Sequence, residues 1–181
     1  MRVLWAKDRV ATPWKNGGGT TSEVVVFPPE SGFDDFGWRV SIARVDRSGP
    51  FSVFAGIDRH LAMLEGRVVL RISGREPVEL SPETPPISFP GDARAEADVV
   101  DGPAMDINVM TRREMFRATL TRRKREGPIS LVAHATLAFP LTRATVNDVA
   151  LGKGDAVLAA PGDEMTVDSA TDFCWIEIFA A

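Results

Sequence analysis

The chain has almost none of the side chains from which proteins build disulfides and soft metal centres. Its 181 residues include one cysteine, Cys174, and two histidines, His60 and His134. One cysteine cannot form an internal disulfide, which is typical of cytosolic proteins. Three-histidine and cysteine-rich metal centres are excluded too, whereas a site of one histidine and several carboxylates stays open. We therefore expect a cytoplasmic protein without a metal or other cofactor.

Long apolar runs and a strong excess of one charge are also missing. No stretch approaches the ~20 apolar residues that a membrane-spanning helix needs. The first ten residues contain Arg2, Lys7, Asp8 and Arg9, which leaves no apolar segment for a signal peptide. The net charge of −4 is modest and negative, so it does not favour nucleic acid as a partner. Hydrophobic residues nevertheless make up 44% of the chain, enough for a packed core in one domain or two small fused ones.

Short strands dominate the pattern of the chain. From Trp38 to Val45 the residues alternate with a period of two, which is typical of a β-strand. With 13 prolines and 15 glycines, only short helical turns have room, at Phe33 to Phe36 and Arg112 to Phe116. Many short strands at close spacing predict an all-β sandwich or barrel. The other predicted strands are Thr21 to Phe27, Leu61 to Leu64, Arg67 to Ile72, Ile87 to Phe89, Met105 to Met110, Phe116 to Thr121, Ala156 to Ala159, Met165 to Asp168 and Cys174 to Phe179, with turns predicted at Glu65-Gly66, Asp101-Gly102-Pro103 and Gly127-Pro128 among others.

An internal repeat indicates a duplicated unit. Leu80 to Asp92 aligns without a gap on Leu151 to Asp163, an offset of 71 residues, and each copy reads as leucine, polar turn, short apolar strand and Pro-Gly-Asp turn. Two unrelated β-hairpins could look alike, but two further matches share the offset, Val78 with Val149 and Asp106-Ile107 with Glu177-Ile178. This punctuation is typical of a cupin half-barrel. Cupin barrels normally carry His and Glu on these strands, and here Ala, Val, Leu and Ser stand in those places.

The most unusual segment runs from Thr12 to Val24 and contains three successive glycines, Gly17 to Gly19. Glycine allows a positive φ or a close backbone approach. The flanking Asn16 and Thr20 offer hydrogen-bond donors and acceptors. The segment is not a phosphate-binding loop, because no Gly-Lys-Ser/Thr follows and no strand precedes it. It is therefore either a tight loop before the first long strand or part of a binding site.

Together with later motifs, this segment resembles the HutD/Ves family of bicupin proteins across residues 12 to 113. The motifs are Trp38 to Ala43, Gly49 to Leu61, Leu64-Glu65-Gly66, Phe89 to Asp92 and Asp106 to Arg113. The resemblance implies an all-β bicupin, with two cupin-like double-stranded β-helix half-barrels packed together, residues 1–115 holding the candidate pocket and residues 116–181 forming the second half. It also implies an association of many members with histidine utilisation, although some relatives are named as stress-induced proteins. It implies no established enzymatic activity.

The candidate site residues lie on the predicted strands. Arg39 and Ser41 share one face of their strand, and Asn108 and Arg112 share a face of another. If the opposite, apolar faces pack between sheets, these polar faces line either a cavity or solvent. For Arg112 a solvent-exposed position is the stronger alternative, because this residue begins a basic run that reaches Arg125. We interpret that run as a solvated linker or hairpin between the two halves rather than a nucleic-acid patch.

Arg59 lies in a predicted turn, Gly56 to Arg59, that leads into the strand at Leu61. Its planar guanidinium is suited to binding a carboxylate. The hypothesis is that it anchors an anion with help from Asn16, Thr20 and Asn108; the alternative is an ion pair with Asp58 or Glu65. His60 could exchange a proton near neutral pH, but a lone strand histidine is more often a packing residue. Glu23 and Glu65 could act as a base, yet no catalytic triad can be assembled.

The preferred function is metal-independent binding of a small organic anion, a carboxylate, by a sensor or modulator of histidine catabolism. Through the resemblance, the ligands would be urocanate, formylated glutamate or formate. Two alternatives stay open: a metal-independent isomerase or hydrolase that uses His60 and a carboxylate, and an interaction protein with a vestigial pocket. Cupins often pair through their sheets, which would make the chain a homodimer and cover its edge strands. We expect no nucleic-acid and no membrane partner.

Overall fold

The computed structural model describes all residues, 1–181, as strands joined by turns, with one short 3-10 turn and no α-helix. No helix is present that could cross a membrane. The strands are β1 (Arg2–Leu4), β2 (Ala11–Pro13), β3 (Gly19–Phe27), β4 (Trp38–Val45), β5 (Gly49–Pro50), β6 (Ile57–Ile72), β7 (Val78–Leu80), β8 (Ile87–Pro90), β9 (Ala95–Arg112), β10 (Phe116–Pro128), β11 (Ala135–Pro140), β12 (Ala144–Val146), β13 (Val149–Leu151), β14 (Ala156–Ala159) and β15 (Thr166–Ala180), and the 3-10 turn is Ala6–Asp8. The all-β prediction is confirmed.

The strands form two sheets in two compact units. The N-terminal unit comprises Val10–Arg117 with Ala181, and the C-terminal unit comprises Met1–Arg9 with Ala118–Ala180. The first nine residues join the C-terminal unit because β1 pairs with β14. In the N-terminal unit the strand order is β2-β3-β4-β9-β6-β7, with β5 on β9 and β8 on β6. In the C-terminal unit it is β1-β14-β11-β15-β12-β13, with β10 on β15.

The predicted turn at Glu65-Gly66 is wrong, because one strand continues through it. The ladder between β6 and β9 runs from Ile57 opposite Arg112 to Ile72 opposite Ala95, with register shifts around Glu65. Gly66 has φ +69°, and a β-carbon there would lie 2.7 Å from the carbonyl oxygen of Pro103. A glycine in this conformation forms a bulge that bends the strand without reversing it.

The internal repeat corresponds to repeated pairing. In the N-terminal unit β6 pairs with β7, β8 and β9, and in the C-terminal unit β11 and β12 together pair with β13, β14 and β15. Val78–Leu80 and Val149–Leu151, at the predicted offset, are the equivalent strands β7 and β13. The duplication is therefore visible in the sheet topology as well as in the sequence.

Two local predictions are corrected. The basic run is neither linker nor hairpin, because most of it lies in β10, which pairs with β15. Within that sheet the Arg123 guanidinium lies 3.4 Å from the Glu177 carboxylate, and Arg125 lies 4.9 Å above the Trp175 ring. Arg112 to Phe116 forms a hydrogen-bonded turn and no helix. Phe33 to Phe36 likewise contains a turn only.

Candidate functional site

Three adjacent strands of the N-terminal unit bring polar side chains to one face. Leu61 and Met63 on that face belong to the hydrophobic core of the unit, so it is an interior face. We call it the Arg59 face. Its cross-strand rows on β4, β9 and β6 are Arg39–Met110–Arg59, Ser41–Asn108–Leu61 and Ala43–Asp106–Met63. Of the predicted site residues, Arg39, Ser41, Arg59 and Asn108 therefore come together here.

Arg59 lies inside β6, not beside a turn, and its side chain is almost entirely enclosed. The residue is 5% exposed, and its Cζ atom lies 5.0, 5.2 and 5.8 Å from the ring centres of Phe51, Phe89 and Phe54. One Nη donates a hydrogen bond to the carbonyl of Ser52 at 3.4 Å, and Nε has no acceptor. Burial lowers the pKa of Arg59 to about 10, and the charge of Asp106 opposes this effect. The guanidinium is therefore charged at neutral pH and only partly satisfied.

The alternative that Arg59 pairs with a neighbouring carboxylate finds no support in the contacts. Its guanidinium forms no ion pair within 4.0 Å with an Asp or Glu side chain. Asp58 instead accepts a hydrogen bond from Arg113 at 2.9 Å. Arg113 also donates to Asp92 at 2.7 Å. Arg113 thus links Asp58 on β6 to Asp92 in the turn after β8, and Asp58 is not paired with Arg59.

Asp106 is the residue on this face that sequence reasoning missed as a site residue. It is 2% exposed, and its Oδ1 has no hydrogen-bond donor. Burial raises the pKa of Asp106 to about 7, although the charge of Arg59 lowers it. A carboxyl group in this environment changes protonation state near neutral pH. The available signal was its position two residues before Asn108, which places both side chains on one face of β9.

Asn108 and Ser41 lie between Arg59 and Asp106. They are 8% and 5% exposed, and the Asn108 side-chain oxygen is buried without a donor. The Arg59 face thus holds one buried N–H group without an acceptor and two buried oxygens without donors. Such groups are rare in folded proteins and indicate a missing water or ligand.

Arg39 shares the face but already has partners. Its guanidinium lies 3.2 Å from the Glu23 carboxylate and 4.1 Å from the ring centre of Phe33. Burial lowers the pKa of Arg39, and the charge of Glu23 opposes this. An anion would have to compete with Glu23 for this arginine, which makes Arg59 the better anchor.

Asn16 and Thr20 are not brought to the Arg59 face. Asn16 is exposed, and its side-chain oxygen accepts a hydrogen bond from the Gly18 N–H at 3.0 Å, within its own loop. Thr20 lies on β3 opposite Arg44, outside the three rows. Gly17 has φ +66°, and a β-carbon at Gly19 would overlap the carbonyl oxygen of Arg44. The triple glycine therefore serves a tight turn and a close backbone approach.

His60 and Arg112 also lie apart from the unsatisfied groups. His60 is on the opposite face of β6, with Nδ1 2.7 Å from the Ser88 hydroxyl. Burial lowers the pKa of His60, and the charge of Asp58 opposes this. Arg112, at the end of β9, donates to the carbonyls of Phe36 at 3.1 Å and Asp34 at 2.9 Å. It fastens the segment that precedes β4.

The residues of the Arg59 face do not fit the metal centre of many cupin proteins. Asp106 is the one carboxylate in the three rows of this face, and the side chains of Asn108 and Ser41 are weak metal ligands. Nowhere in the chain do three or more His, Cys, Asp or Glu side chains lie close enough together to hold a metal ion. The nearby guanidinium of Arg59 would also repel a cation. The guanidinium of Arg59, which is a cation with hydrogen-bond donors, is suited to binding an anion instead.

A surface cavity of about 520 Å³ is lined in part by Phe51. Its lining includes Arg71 and Arg94 as well as Glu96. Arg71 is occupied by Asp98, whose carboxylate lies 2.9 Å away. Phe51 therefore contacts both this cavity and Arg59, whose Cζ lies 5.0 Å from the Phe51 ring centre.

Comparisons with known proteins agree with this architecture. The sequence model of the HutD family matches residues 6–175. A 21.2 kDa protein from the hutC 3′ region of Pseudomonas putida is 36% identical over 121 residues, 66% of this chain and 63% of that protein. Protein Ves of Citrobacter koseri is 38% identical over 106 residues, 58% of this chain and 54% of that protein. The matches span less than two thirds of the length of these curated relatives.

Solved structures extend the match to the whole chain. HutD from Pseudomonas fluorescens SBW25, in a formate condition, superposes with a TM-score of 0.87 at 32% identity, covering 99% of this chain and 98% of that one. A cupin 2 conserved barrel protein from Leptotrichia buccalis gives 0.62 at 9% identity, covering 95% and 92%. The second likeness concerns the fold alone. The two units are thus cupin-like, as the repeat predicted.

Proposed function

Because the chain belongs to the HutD family, we propose that it binds a small organic anion, a carboxylate, at the Arg59 face without a metal. The observation that carries this proposal is the Arg59 guanidinium, which is 5% exposed and keeps an N–H group without an acceptor. A buried charge is costly unless it is paired. A carboxylate ligand would supply both the counter-charge and the missing acceptor.

The ligand would reach Arg59 past Phe51. Residues 51–54 form no strand and lie between β5 and β6. One long hydrogen bond, 3.4 Å from Arg59 to the Ser52 carbonyl, ties the middle of this segment to the site. The cavity of about 520 Å³ that Phe51 lines has the size of a small-molecule site and would receive the ligand first.

We further propose that binding reports or modulates histidine catabolism. The P. putida relative comes from the hutC 3′ region, and the HutD structure from P. fluorescens was obtained in a formate condition. Urocanate, formylated glutamate and formate are therefore the first ligands to test. Each carries the carboxylate that a planar guanidinium recognises.

A thermal-shift screen against these acids, with divalent metal ions alongside, tests the proposal. A ligand that binds the native state alone raises the melting temperature in a saturable way. Arg59→Ala should weaken the affinity for the responding acid at least tenfold. Arg47→Ala removes an exposed arginine of the same unit and should leave the affinity unchanged. Unchanged affinity in Arg59→Ala, or stabilisation by a metal alone, would contradict the proposal.

A further inference from the structure

We propose that the ligand of the Arg59 face carries hydrogen-bond donors as well as a carboxylate, so that its chemical class is a hydroxy, amino or acylamino acid rather than a simple fatty acid. This inference rests on the proposed function and specifies its ligand. It follows from the groups that the folded chain leaves without partners.

The buried groups without hydrogen-bond partners include both a donor and acceptors. Arg59 Nε is a donor without an acceptor, whereas Asp106 Oδ1 and Asn108 Oδ1 are acceptors without donors. A simple carboxylate offers acceptors only. It would satisfy Arg59 but would supply no donor to the Asn108 oxygen, or to the Asp106 carboxyl in its ionised form. A ligand with an O–H or N–H group would satisfy both kinds.

The strand geometry places these groups within reach of one small molecule. Asn108 lies one row from Arg59 in the ladder between β9 and β6, a diagonal neighbour at about 7–8 Å between Cα atoms. Asp106 lies on the same face of β9, two residues from Asn108 and therefore about 7 Å from it between Cα atoms. A carboxylate at Arg59 with a donor a few bonds away therefore spans the distance to Asn108. A longer acid would also reach Asp106.

No side chain of the face donates a hydrogen bond to either oxygen. The Arg39 guanidinium is engaged by Glu23 at 3.2 Å. The Arg59 Nη that is hydrogen-bonded points to the Ser52 carbonyl at 3.4 Å. The two oxygens consequently depend on a ligand or water for their hydrogen bonds, and a ligand that cannot replace the water leaves them unpaired.

Calorimetric titration of propionate, 2-hydroxypropionate and 3-hydroxypropionate into the wild-type protein tests the inference without any substitution. These acids have the same carbon chain and differ only in one hydroxyl group. An unsatisfied buried acceptor weakens binding by an order of magnitude or more, so at least one hydroxy acid should bind ~10-fold more tightly than propionate. In Asn108→Ala that preference should shrink while propionate affinity is retained. Arg59→Ala should weaken all three acids in parallel.

Two results would overturn the inference in distinguishable ways. If propionate binds as tightly as both hydroxy acids, and Arg59→Ala still weakens it, the ligand needs no donor although the carboxylate site stands. If none of the three acids binds to folded protein, as judged by circular dichroism, and the histidine-pathway acids also fail, the proposed function falls as well.

Discussion

The buried carboxyl of Asp106 makes the stability of the protein depend on pH in a specific direction. The ordinary pKa of 3.8 rises to about 7 in the folded chain, chiefly through burial. Between these values the folded state holds one proton more than the unfolded state. Stability therefore falls as pH rises through this range, because the group must be ionised in a site that disfavours its charge.

The size of the effect follows from the same two values. Each pKa unit corresponds to about 1.4 kcal/mol. The rise from 3.8 to about 7 thus removes ~4 kcal/mol of unfolding free energy between acidic and neutral pH. Most domains have only about 5–15 kcal/mol in total, so the effect should be easy to measure.

Asp106→Asn is the matching perturbation, since it keeps the size of the side chain and removes the titration. Urea unfolding of both proteins from pH 4.5 to 8.5 gives the free-energy difference, wild type minus variant, at each pH. We expect this difference to fall by roughly 3 kcal/mol between pH 4.5 and 6.5 and to level off above pH 7.5. Asp35→Asn, which removes an exposed carboxylate of the same unit, controls for the loss of one negative charge.

The outcome decides which of two opposing effects dominates at Asp106. A flat difference would mean that the burial penalty and the attraction of Arg59 cancel. A difference that rises with pH would mean that Asp106 and Arg59 form a stabilising ion pair. Either result would refute the account of Asp106 as a carboxyl held near its protonation midpoint.

Three further predictions concern other parts of the chain. Gly19→Ala should destabilise the fold by about 2 kcal/mol or more in urea unfolding, because its β-carbon would overlap a backbone carbonyl. Gly32→Ala should be near neutral, because the nearest atom to its β-carbon, an Asp35 carboxylate oxygen, lies at an ordinary contact distance of 3.6 Å. Cys174 is 0% exposed and burial raises its thiol pKa, so DTNB should react only after unfolding; reaction of the native protein would contradict this. The homodimer stays a prediction, tested by light scattering, where the mass of a single chain would reject it.

Much of the fold could be predicted from local pattern. Trp38–Val45 has the predicted bounds, because alternation with a period of two is the signature of a strand. Ala156–Ala159 also has its predicted bounds, as a short apolar run between turns. The pair Glu65-Gly66 predicts a turn from sequence, because the same residue pair suits a turn and a bulge. The long ladder between β6 and β9 decides in favour of the bulge, and pairing between distant residues leaves no local signal.

The site could be predicted only in part for the same reason. Alternation placed Arg39 with Ser41, and it placed Asn108 on a polar face, but the register that brings these faces together is a long-range property. Asp106 was visible as an acid in an apolar strand, yet its burial could not be read from sequence. His60 is a candidate from sequence because histidine titrates near neutral pH. The pairing of β6 with β9 places it on the face of β6 opposite to Arg59.

We propose above all that Arg59 anchors a carboxylate inside the N-terminal unit. The most direct test is calorimetric titration of urocanate and N-formylglutamate into the wild-type protein and Arg59→Ala, both shown to be folded. We expect saturable binding of at least one acid by the wild type and an affinity at least tenfold weaker in the variant. Equal affinity in the two proteins would place the ligand elsewhere and contradict the account.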